Sequence, residues 1–193
     1  MTTKQFIQEC KNSGKFTNDQ MEQIRWGFKM GLTIEQVKVY ANPKFDKNQM
    51  HQICVGFIYK FTMEQIKLYA DPKFDVPQMQ EIYWGFKDCL TIDQVKLYAD
   101  SRFNCGQMQQ IRYGFVEGLT IKQVELFADV KFNWKQMYEI CKGFKNGLSI
   151  EQVKVYAKPI FTEYKMLQIS DFIEKNNNLS INTIKFLIGL NCI

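Results

Sequence analysis

FTNDQMEQIRWGFKMGLTIEQVKVYANPK spans residues 16–44, and FDKNQMHQICVGFIYKFTMEQIKLYADPK follows without a gap as residues 45–73. Laid over each other, the two stretches share one register, which runs on through the chain. Phe16, Phe45, Phe74, Phe103, Phe132 and Phe161 stand 29 residues apart. Met21, Met50, Met79, Met108, Met137 and Met166 keep the same step, as do Ile24, Ile53, Ile82, Ile111, Ile140 and Ile169. A fixed period of this size marks a repeat array, whose unit is too small to bury a core of its own. Stacking of neighbouring units completes the core, so the expected fold is all-α, an α-solenoid of about six antiparallel helix hairpins. Such arrays usually work by presenting a long surface and seldom by housing a catalytic pocket.

Within the unit, Thr17 is followed three residues later by Gln20, and the offset returns as Asp46/Gln49, Asp75/Gln78, Asn104/Gln107 and Asn133/Gln136. This is a capping box, which satisfies free backbone N–H groups and starts a helix, here helix A. Met21, Ile24 and Phe28 then share one face at helical spacing. Gly27, Gly56, Gly85, Gly114 and Gly143 fall on that face and leave room for another helix. Gly31, Gly118 and Gly147 stand where helix A should end in a left-handed cap. Lys60 and Cys89 replace that Gly in two units, which predicts two turns of different build. A second capping box, Thr33/Gln36, Thr62/Gln65, Thr91/Gln94, Thr120/Gln123 and Ser149/Gln152, starts a short helix B through Ile34, Val37, Tyr40 and Ala41. Pro43, Pro72 and Pro159 lie just beyond it and are expected to stop it.

The repeat covers nearly all of the 193 residues, which reads as one domain. Residues 1–15 form an N-terminal cap with a helix at 2–12, residues 16–160 five regular repeats, and residues 161–193 a degenerate sixth. There Lys165 replaces the capping Gln, Phe172 replaces the Gly, and Asn176-Asn177-Asn178 carries an insertion; Ser180 to Leu190 still reads as a last helix B. With helix axes about 8–10 Å apart, six hairpins make a rod or arc of about 50–60 Å.

Composition narrows the class. Hydrophobic residues make up 46% of the chain, ample for a continuous core. No apolar run reaches the roughly 18–20 residues needed to span a bilayer. The N-terminus lacks the apolar h-region of a signal peptide, so a cytoplasmic protein with no membrane partner is expected. The six cysteines show no C-x-x-C pair and no shared spacing, which signals neither a disulfide framework nor a zinc site. A net charge of +5 permits an anionic partner but falls short of a dedicated nucleic-acid binder.

The unit F-[D/N/T]-x-x-Q-M-x-x-I-x-x-G-F-x-x-G-L-[T/S]-I-x-Q-V-K-x-Y-A-x-P resembles short tandem repeats of uncharacterised proteins in Firmicutes bacteria, their phages and mobile elements. The resemblance covers about residues 16–161 through the Q-M-x-x-I, G-F and Y-A-x-P positions. It implies architecture and origin and transfers no active-site residue; for a phage-encoded chain it implies the host-cell cytosol as the setting and a role against a host-defence component.

Function in an array belongs to exposed positions that vary between units. At 100° per residue, the outward face of helix A is centred near positions 19, 22, 26 and 30 of the unit. Position 26 and its equivalents are Trp26, Val55, Trp84, Tyr113 and Lys142; the neighbouring position gives Arg25, Cys54, Tyr83, Arg112 and Cys141. Tyr59, Trp134 and Tyr138 add to the aromatic population. An exposed aromatic and Arg row has the composition of an interaction hot spot. Alternatively, the rings pack on the adjacent helix A. A second apolar row, Val39, Leu68, Leu97, Leu126 and Val155, is expected to pack against the next repeat, with an oligomer interface as the other option.

Lys38, Lys67, Lys96 and Lys154 form a tempting phosphate track, but Glu35, Glu64, Asp93 and Glu151 precede them by three residues and make ion pairs instead. The loop row Lys44, Lys73, Arg102 and Lys131 is the better anion candidate, against solvated loop charge. His51 is the only histidine and stands beside no recurring acid or nucleophile. No phosphate-loop or zinc-protease motif is present, so no enzyme, cofactor or metal is expected. The leading expectation is therefore a non-catalytic protein that binds another protein through helix A. The runner-up is a sponge for a small anionic nucleotide, with rings stacking on a base and Arg25, Arg112 or the loop row meeting phosphate. Single-stranded nucleic acid comes third. The apolar end Phe186-Leu187-Ile188-Gly189-Leu190-Asn191-Cys192-Ile193 further predicts a homodimer joined at the C-terminus.

Overall fold

The structure, a computed structural model, describes residues 1–189. Among the described residues there are thirteen helices and no strand. The chain folds as two compact units, one covering Met1–Ser101 and one beginning at Arg102.

In the first unit, α1 (Thr3–Asn12) precedes α2 (Asn18–Lys29), α3 (Ile34–Tyr40), α4 (Lys47–Ile58), α5 (Met63–Lys67), α6 (Val76–Lys87) and α7 (Ile92–Lys96). The second unit holds α8 (Cys105–Val116), α9 (Ile121–Val124), α10 (Trp134–Lys145), α11 (Ile150–Tyr156), α12 (Glu163–Lys175) and α13 (Ile181–Gly189). Long and short helices alternate as helix A and helix B. Inside each unit, each regular helix A packs on its own helix B, and successive A helices pack side by side (α2 on α4, α4 on α6; α8 on α10, α10 on α12). The N-terminal helix docks on α2, where Phe6 meets Phe28 edge-on at 5.8 Å.

Both capping boxes form in all five regular repeats. A further one, Thr2 with Gln5, starts α1. The core follows the ladders. Met50, Met79, Met108, Met137 and Met166 are fully buried, as are Ile24, Ile53, Ile82, Ile111, Ile140 and Ile169. Phe45, Phe74, Phe103 and Phe132 are buried, while Phe16 and Phe161, at the ends of the ladder, are half-buried. On helix B, Val39, Leu68, Leu97 and Leu126 are half-buried and Val155 is buried.

The helix-A Gln has a second role. Its Oε1 accepts the N–H of its own cap residue, and its Nε2 donates into the following repeat. Gln20 donates to the carbonyls of Pro43 (3.1 Å) and Phe45 (2.6 Å), and Gln49 to those of Pro72 (3.2 Å) and Phe74 (2.7 Å). In the second unit Gln107 reaches Val130 and Phe132, and Gln136 reaches Pro159 and Phe161. Each of these glutamines is buried. The helix-A Gln is thus a clamp between consecutive hairpins as well as a cap.

The row of helix-A glycines makes room for a side chain. A Cβ at Gly27, Gly56, Gly85 or Gly143 would strike the hydroxyl of Tyr40, Tyr69, Tyr98 or Tyr156, each on the helix B or turn of the same hairpin. At Gly114 the partner is Phe127, which has no hydroxyl, and its nearest atom would lie 3.0 Å away.

Two expectations need correction. The turns at Lys60 and Cys89 are not built differently. Both residues adopt left-handed backbone, at φ 67° and 62°, as Gly31, Gly118 and Gly147 do. In each, the N–H two residues past the cap closes on the carbonyl of the mid-helix Gly, as Phe61 on Gly56 and Leu90 on Gly85. The surrounding helix contacts over-determine the turn, so a non-glycine residue is forced into it. Replacing either residue by Gly is therefore expected to raise stability by about 0.5–1 kcal/mol, read as a higher midpoint in urea. A lower midpoint for both variants would refute the strain.

The prolines, in turn, are not what ends helix B. With Ser101 and Val130 in the Pro slot, α7 and α9 still stop, at Lys96 and Val124. Every regular repeat instead closes with a tight turn in which an N–H reaches the carbonyl two residues earlier, as Asn42 to Tyr40 (2.7 Å) and Asp129 to Phe127 (2.8 Å). Ala41 at φ −70°, ψ 62° has the geometry of an inverse γ-turn, and a helix cannot pass through it.

Candidate functional site

Among the described residues no helix is long and apolar enough to cross a membrane, and no three His, Cys, Asp or Glu side chains gather to hold a metal. Cys10, Cys54, Cys89, Cys105 and Cys141 are free thiols. Burial pushes the Cys54 and Cys141 thiols up to about 11, so both stay protonated. His51 is exposed, its Nδ1 3.3 Å from Gln23 Oε1.

The expected exposed row divides. At the position of Arg25, only Arg25 itself is exposed; Cys54, Tyr83, Arg112 and Cys141 are buried. That position lies one step of 100° from the core ladder. In the first unit Tyr83 lies there, 5.3 Å from the ring of Phe61 and 5.9 Å from Tyr59. Burial pushes its phenol up, with Tyr59 adding to the effect. Arg112 lies over the Tyr113 ring at 4.7 Å. Trp26 is half-buried and stacks on His51 at 4.9 Å, so that ring packs as the alternative reading allowed.

Other rings are left open to solvent. In the first unit Trp84 (48% exposed) and Tyr59 (54%) flank the buried Tyr83, and the Lys87 ammonium lies 4.4 Å over the Tyr59 ring. In the second unit Tyr113, Trp134, Tyr138 and Tyr164 are all exposed. They line two grooves that share Tyr138. A groove of about 380 Å³ between α8 and α10 is bordered by Tyr113, Tyr138, Gln110, Lys142 and the ion pair of Lys145 with Glu117 (2.8 Å). A smaller one of about 170 Å³, between α10 and α12, carries Trp134, Tyr138 and Tyr164 with Lys135, Glu139 and Glu163.

Sequence reasoning missed Tyr164, although a signal existed. Tyr113, Tyr138 and Tyr164 occupy unit positions 26, 22 and 19, all on the outward face, one each on α8, α10 and α12. Reading each position as a row along the repeats hides a stripe that slants across them. Comparison with protein-family models, characterised proteins and solved structures finds no match.

The charged rows lie elsewhere. Lys38 pairs with Glu35 at 2.8 Å, Lys96 with Asp93 at 3.6 Å and Lys154 with Glu151 at 2.8 Å, so these lysines serve their own helices. Lys44, Lys73, Arg102 and Lys131 are exposed in the turns between repeats. Asp71 and Asp129 accept from the N–H of Lys73 and Lys131 within those turns, so the turns carry both signs of charge. At the C-terminal end Phe186 is 65% exposed and Leu187 half-buried, while Leu190, Asn191, Cys192 and Ile193 lie outside the described residues.

Proposed function

We propose that this chain is a non-catalytic α-solenoid that binds another protein through the outward face of its A helices. The stripe of exposed Tyr113, Trp134, Tyr138 and Tyr164 carries the proposal. A merely solvated helix face is polar, whereas rings at the centre of a face are the usual anchors of an interface. The recurrence of the Gln clamp and the Gly–aromatic contact within each unit supports the solenoid. The proposal extends to a host-defence component as the partner, met in the host cytosol, on the resemblance that the repeat pattern suggests to repeats of phages and mobile elements.

Tyr113→Ala/Trp134→Ala/Tyr138→Ala is expected to remain helical and to lose, by tenfold or more, a partner that the wild-type chain captures from host extract. Retention of every wild-type partner by the folded triple variant would sink the proposal.

The groove between α8 and α10 favours a second proposal, sequestration of a small anionic nucleotide. About 380 Å³ lies within the range of small-molecule sites, and Tyr113 and Tyr138 offer stacking faces near Lys142 and Lys145. A nucleotide carried through purification and seen by native mass spectrometry would favour it over the protein partner.

A further inference from the structure

The smaller groove in the second unit has the opposite electrostatic character. Trp134, Tyr138 and Tyr164 line it together with Glu139 and Glu163. One carboxylate oxygen of Glu139, Oε2, is buried and has no hydrogen-bond partner. Burial holds the Glu139 carboxyl above the usual range; Lys142 opposes this, and the charges of Asp171 and Glu163 add to it. The chain's own Lys135 reaches the site. Its ammonium is 3.7 Å from Glu163 and 5.7 Å from the centre of the Trp134 ring. That pair is long, its lysine half in solvent, and exposed pairs of this kind are easily displaced. Two carboxylates, Glu139 and Glu163, therefore face one lysine, Lys135, in a groove lined by rings whose faces are themselves negative.

Resting on the protein-binding proposal, we propose that this groove is a cage for an arginine side chain of the protein partner. The guanidinium stacks on the Trp134 and Tyr138 rings and donates to the Glu139 and Glu163 carboxylates that line the groove. A planar, always-charged fork meets both demands, a flat face for the rings and paired N–H groups for a carboxylate. About 170 Å³ accommodates such a head group and is below the size of a nucleotide site. Lys135 holds the place in the free protein and is displaced when the arginine enters.

The test uses the full chain, labelled with nitrogen-15 and titrated with N-acetyl-arginine methylamide. The indole N–H signal of Trp134, assigned by Trp134→Phe, is followed by NMR. A saturable shift in the millimolar range is expected, and the neutral isostere N-acetyl-citrulline methylamide should give none. Glu139→Gln should weaken binding about tenfold or more, with Glu163→Gln as a second probe of the acidic wall. Lys135→Met should tighten binding several-fold, because it removes the internal competitor.

No saturable shift up to about 100 mM arginine probe, equal binding of citrulline, or weaker binding by Lys135→Met would each overturn the cage. Loss of partner capture by the triple ring variant, together with no arginine binding, would overturn the cage alone and leave the protein-binding proposal standing. Arginine binding without any partner lost on ring removal would overturn the protein-binding proposal, and with it the assignment of the arginine to a protein partner, and leave only an arginine-binding groove.

Discussion

Gln136→Glu is expected to destabilise the protein by about 3–5 kcal/mol near neutral pH, measured by urea unfolding. Glu is the usual capping-box alternative to Gln, and its carboxylate serves the Asn133 N–H as well as the amide does. The loss arises at the other end of the side chain. The amide Nε2 donates to the carbonyls of Pro159 and Phe161 at 3.1 and 2.6 Å, and a carboxylate would set a charged acceptor against two acceptors in a buried site. The same change on helix B is the control. Gln152 accepts the Ser149 N–H, and among the described residues its amide makes no donation into the following repeat, so Gln152→Glu should stay within about 0.5 kcal/mol. The sign with pH follows from the charge. Burial raises the folded pKa of the introduced Glu, so the penalty shrinks as pH falls through it, when the protonated acid regains one donor. Equal effects at 136 and 152, or a penalty independent of pH, would show that the clamp contributes nothing.

Gly143→Ala is expected to cost about 2–3 kcal/mol, while Gly114→Ala in the same unit should be close to neutral. Alanine favours a helix over glycine by about 1 kcal/mol at either position. At Gly143 that gain is outweighed, because the new methyl would occupy the place of the Tyr156 hydroxyl, which is buried and cannot swing into solvent. At Gly114 the methyl would meet Phe127 at 3.0 Å, a contact that a few tenths of an ångström relieve. The Tyr156 hydroxyl has no hydrogen-bond partner, so Tyr156→Phe should cost nothing by itself and should restore most of the stability of Gly143→Ala. Failure of that rescue would mean that something other than the hydroxyl requires the glycine.

These two cases also mark how far residues could be read without coordinates. The five in-register glycines showed that space was needed, yet not what filled it, because the occupant stands thirteen residues further on in helix B or its turn. The capping box was legible because it is local, a cap side chain and an N–H three residues apart. The remaining half of the same Gln was invisible, since its acceptors come 23 and 25 residues later. Lys60 and Cys89 misled for a related reason. Local preference argues against left-handed backbone there, and packing of the hairpin overrules it at about 1–2 kcal/mol.

The candidate surface divides in the same way. Periodicity identified the outward face of helix A and the rings upon it. It placed Tyr83 and Arg112 on an exposed row, whereas both are buried, Tyr83 beside Tyr59 and Phe61 of the preceding hairpin, and it could not foresee that Trp26 stacks on His51. The sequence by itself determined the helix starts, the helix-A ends, the core ladders and the 29-residue step, because each depends on residues within one or two turns or on a period that repeats them. Only the tertiary structure decided which aromatic rings stay open, where the Gln amides are spent, and that Tyr138 joins an arginine-sized acidic groove to a larger one beside lysines. Those properties belong to the spaces between hairpins, and such a space is shaped by side chains that no local pattern couples.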